Sequence, residues 1–303
     1  MTIALGLIVS RFIHYLALSV LFGASLFPLY GMKRSPWHDY PFLSWLHPVL
    51  LIAAIAALLS GLSWLVFATA GMSGSLAGAM DSESLSIVIG STSFGRLWLV
   101  RLALAAVVTV LLLAKKQGAW RHYAVIAGAL VLLASIGASG HAGENVVHVV
   151  ADSIHLLAAG LWIGALFALL VLVIVSADSN IEILHTALLR FSGVGTSVAA
   201  VLVLSGLVNS WFLIGLDKID QIFVSRYEQI LLLKLVLFGA MLLLAAANRF
   251  WLTPRLAAAL ASGGAPSDPI RPLRLSILTE TVFGAAVLAA VAWLGTLQPP
   301  AHA

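Results

Sequence analysis

Apolar residues run along this chain in blocks of about 20, the length a helix needs to cross the hydrocarbon of a bilayer. Eight blocks are predicted as helices: roughly 3–30, 46–70, 94–114, 122–140, 147–176, 185–214, 229–247 and 275–297. Arg11 interrupts the first block and no convincing small-residue cleavage site follows it, so the block is expected to stay as a span rather than be removed as a signal peptide. The stretch LAAALASGGAPSDPIRPL (256–273), where Gly, Pro and Ser gather, reads as a connecting loop. No polar stretch is long enough to stand as a soluble domain. The fold class predicted is an all-α integral membrane protein, a single transmembrane domain over 1–303.

Composition agrees with the pattern. The 303 residues are 61% hydrophobic and only 9% charged, with a mean hydropathy of +1.07, where a soluble domain needs far more charge to cover its surface. The net charge of +4 does not point to nucleic acid, because the basic residues sit in short clusters between apolar blocks. Lys33 and Arg34, then Lys115, Lys116 and Arg121, then Arg249, Arg255, Arg271 and Arg274 mark alternate loops as cytoplasmic. Both termini are then expected outside. The chain has no cysteine, which excludes disulfides, thiolate metal sites and thiol redox chemistry. Nothing resembles a phosphate-binding loop, and no enzymatic activity is expected.

A repeat divides the chain. IHYLALSVLFGASLF (13–27) matches IHLLAAGLWIGALFA (154–168) at an offset that pairs His14 with His155, Gly23 with Gly164 and Arg11 with Asp152. SGL at 60–62 echoes SGL at 205–207, and Arg101 has a loose counterpart in Lys234. Four spans followed by four similar spans predict two parallel halves, 1–140 and 141–303, with a site at their interface.

The polar residues inside these blocks are the candidate chemistry. In SGHAGENVVHVVADSIHLLAAGLWIGAL (139–166), His148, Asp152 and His155 share a narrow arc of one helix and Trp162 continues it, with His141 and Glu144 in the loop before. Arg11 and His14 share a face of the first span. By the repeat, Arg11 and Asp152 are expected close together with both histidines alongside, either as an ion pair holding the halves together or as part of a site. Imidazole suits copper, zinc and iron, and thioether suits Cu(I). Met72 and Met80, in the first outer loop, are candidate donors on the same side as His141 and His148, or ordinary apolar filling. Arg96, Arg101 and Lys234 are read as side chains reaching for the outer interface, Glu280 as a carboxylate that pairs with a cation or carries protons, and His47 and His185 as interfacial.

Four segments carry a family resemblance: HLLAAGLWIGAL (155–166), TSFGRLWLVR (92–101), LLLKLVLFGAMLLLAAANRFWLTPRL (231–256) and LRLSILTETVFGAAVLAAVAWLGTLQP (273–299). In this order they resemble the copper resistance protein D (CopD) family of bacterial inner-membrane proteins. The resemblance implies eight spans, copper transport across the inner membrane, and a periplasmic CopC-type partner, here expected to be a separate protein. It places His155, Trp162, Lys234, Asn248, Arg249 and Glu280 in the family's motifs. The function expected is a copper permease or import-type channel. His141, His148, Met72 and Met80 would receive copper at the outer mouth. His155 and His14 would pass it inward, with Arg11, Asp152, Glu144, Lys234 and Glu280 as supporting charge. The alternative is a haem-binding redox protein with His14 and His155 as axial ligands; a passive scaffold for a copper-binding partner is a third reading.

Overall fold

The structure, a computed structural model, describes residues 2–32, 43–114, 118–139, 145–175, 181–214, 225–262 and 267–297. Helices account for nearly all of these, and there is no strand among the described residues. The order is α1 (Ile3–Phe27), wound on through a π-helical turn at Pro28–Met32; α2 (Leu46–Ser73); the short α3 (Leu76–Met80) and α4 (Ser82–Ser91); α5 (Ser93–Leu113); α6 (Ala119–Ala134); α7 (Val146–Val175); α8 (Ile181–Ile214); α9 (Arg226–Ala247), continuing through a π-helical turn at Asn248–Leu252 into α10 (Thr253–Ala261); and α11 (Ser267–Leu294). Polar side chains set several of the starts. Asn145 Oδ1 accepts from the backbone N–H of Val147 at 2.9 Å, which starts α7 at Val146. Ser225 and Glu228 form a reciprocal capping box at the head of α9.

Seven described segments are long and apolar enough to cross a membrane. The predicted fourth span is α6, and it is shorter at 16 residues. Gly118 precedes it, and at Ser135 the chain turns into a 3₁₀ turn at Gly137–Ser139. The loop expected at 256–273 is largely helical: α10 covers its first part and α11 begins at Ser267. Ala and Leu favour helix over 256–261, and α10 ends at Ala261, where Ser262 caps it. Ile52, Leu59, Val107, Val110, Leu204, Val236 and Leu243 are exposed, forming the apolar outer face that a lipid-embedded bundle presents.

The centre is the crossing of α1 and α7. A Cβ added to Gly164 would stand 2.5 Å from Gly23 Cα, and one added to Gly23 would stand 2.5 Å from the Gly160 carbonyl oxygen. Backbones meet so closely only where no side chain intervenes, the usual device of helix pairs in lipid. Around this contact α1 packs on α6 as α7 packs on α11, and α1 also meets α11 while α6 meets α7. Leu18, Leu21, Ala24, Ala165 and Leu166 fill the seam. On one flank α2 and α5 pack against each other. On the other, α8 and α9 stand apart with a cavity between them.

Gly164→Leu is therefore expected to lower thermal stability in detergent by about 2 kcal/mol or more, since neither backbone can yield. Gly239→Ala, where a Cβ meets nothing within 4 Å, should leave the unfolding temperature within about 1 °C of the parent.

Candidate functional site

Each flank holds one histidine, one Ser-Gly pair and one cation. On the first, His14 Nδ1 lies 3.0 Å from the Ala57 carbonyl and 3.1 Å from Ser60 Oγ, and Arg101 Nη2 lies 3.2 Å from His14 Nε2. A guanidinium can only donate, so Nε2 accepts and the ring proton sits on Nδ1, facing the carbonyl. Arg101 lies 4.5 Å above the Trp98 ring, and Trp98 Nε1 donates to the Gly61 carbonyl at 2.9 Å. Trp64 closes the other side of His14, 5.7 Å away edge-on. His14 and Arg101 are each 3% exposed and Trp98 is 1% exposed. The histidine has no free nitrogen and no room beside it.

The second flank repeats the frame with different filling. His155 Nδ1 lies 2.9 Å from Ser205 Oγ, whose hydroxyl donates to the Val201 carbonyl at 2.6 Å. A hydroxyl has one proton, so Ser205 accepts from Nδ1–H, and the lone pair of His155 is on Nε2. Gly206 lies against the His155 ring as Gly61 lies against His14. Counted from SGL, the place of Trp64 falls to Asn209, and counted from Arg101 to Lys234, the place of Trp98 falls to Leu231. Without the two indoles the flank is hollow. His155 and Lys234 line a cavity of about 360 Å³ that also exposes Ser210, Phe238 and Met241. Both also line a second cavity, of about 230 Å³, with His148, Asp152, Asn209, Tyr227 and Arg11.

These cavities follow one face of α7. His148, Asp152, His155, Ala159 and Trp162 recur three and four apart, as the spacing predicts. His148 stacks on Phe212 at 4.8 Å. Asp152 Oδ1 accepts from Asn209 Nδ2 at 3.2 Å. Trp162 ends the row, donating from Nε1 to Glu280 Oε1 at 3.0 Å, while Asn248 Nδ2 donates to Glu280 Oε2 at 3.1 Å. The π-helical turn that begins at Asn248 widens the helix where it faces Glu280, a distortion typical of working positions.

Several expectations need correction. His14 and His155 do not face one another: Gly23 and Gly164 occupy the interface, and each histidine turns to its own flank. Haem ligation by this pair is ruled out by the same geometry, because both nitrogens of His14 are engaged. Arg11 and Asp152 line one cavity, but among the described residues no ion pair joins them. Arg11 instead donates to the Gly295 carbonyl and to Tyr15 Oη, and lies 4.7 Å over Trp64. Arg101 and Lys234 turn inward to the histidines rather than outward to the interface. Met72 and Met80 are exposed, at 59% and 73%, and line neither cavity. His141 and Glu144 lie outside the described residues. His47 bonds the Leu112 carbonyl at 3.0 Å, a structural tie between α2 and α5. Among the described residues no three His, Cys, Asp or Glu side chains cluster as a closed metal site. The sequence reading passed over Met241, Asn209, Ser205 and Tyr227. Of these, only Ser205 carried a signal, in the SGL echo.

Two family models match the chain: copper resistance protein D-like, N-terminal domain, over residues 1–149, and copper resistance protein D over 185–294. The chain is 32% identical over 304 residues to copper resistance protein D of Pseudomonas syringae pv. tomato, covering 97% of this chain and 96% of that one. It is 28% identical over 309 residues to inner membrane protein YebZ of Escherichia coli (strain K12), covering 95% and 97%. Copper transport protein CutJ of Bacillus subtilis (strain 168) matches at 28% identity over 254 residues, 80% of this chain and 46% of CutJ. No solved structure matches.

The two flanks should respond differently to loss of their cation. Arg101→Ala removes the partner of a sealed histidine and is expected to cost about 3 kcal/mol of stability. Lys234→Ala, at a cavity wall, should cost about 1 kcal/mol or less. Thermal unfolding of both variants in one detergent measures the contrast.

Proposed function

The chain belongs to the copper resistance protein D family, and from that premise we propose that it carries copper ions across a bacterial inner membrane, inward, through the hollow second flank. The observation that carries this reading is the hydrogen-bond chain His155–Ser205–Val201. It pins the imidazole and leaves its Nε2 lone pair for a metal, in a cavity that Met241 also lines. An imidazole and a thioether are a soft pair suited to copper. The names of the relatives, copper resistance protein D and copper transport protein CutJ, agree with copper as the cargo. Nothing in the chain is built to hydrolyse a nucleotide, so passage is passive or coupled to protons or the membrane potential.

In this reading α6, with its following 3₁₀ turn, also crosses the membrane, as the fourth of eight spans. The basic loops are cytoplasmic and both termini lie outside, so α7 begins at the periplasmic face. His148 and Asp152 then form the outer vestibule, with His141 and Glu144 before them and Met72 and Met80 at the outer surface. Arg11 and Lys234, in the same cavity as Asp152, more than offset its charge, so the imidazoles rather than net charge draw the ion in and it is not trapped. The sealed His14 flank is the structural half of a four-plus-four repeat. A separate CopC-type protein in the periplasm would deliver the ion.

Cellular copper accumulation should rise when the chain is expressed. His155→Ala should abolish that rise, and Asp152→Asn should reduce it by about fivefold to tenfold. Accumulation equal with and without the chain would overturn the reading.

A further inference from the structure

The His155 cavity ends at Trp162, and another cavity begins behind it. This one, of about 240 Å³, is lined by Trp162, Glu280, Asn248, Thr196 and Arg249. Among the described residues Trp162 alone lines both cavities. The indole is 3% exposed and held in place by its bond to Glu280.

Glu280 is 1% exposed. Its oxygens accept from two neutral donors, Trp162 and Asn248. Among the described residues no cation pairs with it, and Arg249, on the same cavity, donates from Nη1 to the Ser192 carbonyl and the Thr196 hydroxyl rather than to Glu280. Asn248 Oδ1 is buried with no partner. A carboxylate held in hydrocarbon without a counter-charge is expensive, and such residues mark ion pathways.

We propose that Glu280 and Asn248 Oδ1 form a second cation site for the transported ion, on the far side of Trp162, and that the indole is the partition between the two sites. The inference rests on the copper reading of the His155 cavity. Oxygen donors hold copper less firmly than imidazole and thioether, so the ion steps from a firmer site to a weaker one and is released. A cation arriving at Glu280 competes with the indole N–H for the carboxylate, so occupancy of the inner site loosens the partition.

Two measurements on the full chain in proteoliposomes test this. In Cu(I) flux, His155→Ala is expected to lose both transport and copper binding. Glu280→Gln should bind copper at the His155 cavity as the parent does but carry it about tenfold more slowly, with Glu280→Asp between the two. Parental flux in Glu280→Gln overturns the inner site, whereas parental flux in His155→Ala overturns the copper reading itself. The second measurement uses the absence of cysteine in the chain. With a membrane-impermeant thiol reagent, Gly206→Cys should react from one side only and Thr196→Cys from the other. Adding Trp162→Ala should make each reactive from both sides. Unchanged sidedness overturns the partition, and this readout does not depend on Glu280→Gln folding.

Discussion

Two helix backbones touch at Gly23 and Gly164, and the rest of the bundle is arranged around that contact. In lipid no hydrophobic effect draws helices together, so close packing of small residues must do it. Because the crossing is too tight for any side chain, the polar residues of α1 and α7 are turned away from it, toward opposite flanks. His14 and His155 are thereby separated by the same repeat that makes them equivalent. A contact with no chemistry of its own decides where the chemistry lies.

On the two flanks one frame has been filled in two ways. A histidine held by a Ser-Gly pair and faced by a cation occurs on both. Where Trp64 and Trp98 stand, the frame is solid, and Arg101 takes the remaining lone pair of the ring. Where Asn209 and Leu231 stand, the frame is hollow and the lone pair of His155 is unused. On the first flank the buried guanidinium of Arg101 rests on the Trp98 face and gives Nη2 to His14, while its Nε and Nη1 have no hydrogen-bond partner among the described residues. The hollow flank leaves comparable groups beside open volume.

The sequence made the helical class and the composition of the α7 face legible, because periods of three and four and blocks of about 20 apolar residues are strong signals. It also pointed to a likeness of His14 and His155, and each does bond a serine hydroxyl and lie against a glycine. The inference from equivalence to proximity failed, because a repeat relates positions by rotation and says nothing of which way they face. Arg11 and Asp152 were expected as partners on the same logic, yet within the one cavity they line each bonds neutral partners. Met241 was hidden among leucines, where a methionine looks like filling until a cavity opens beside it. The short α6 and the helical 256–261 stretch show the usual limits: length thresholds blur near 16 residues, and a segment read as a loop from its Gly, Pro and Ser opens on an Ala-Leu run that is helical.

The unequal flanks divide the chain's tolerance to inherited change. In the solid flank a substitution acts through folding, so its carriers should show a loss of protein that cooling relieves. In the hollow flank the fold absorbs a change at a cavity wall, so carriers keep a full complement of protein, and under the proposed copper role their phenotype persists at every temperature. A library of random variants scored for abundance and for copper phenotype would separate into these two classes along the α1–α7 seam.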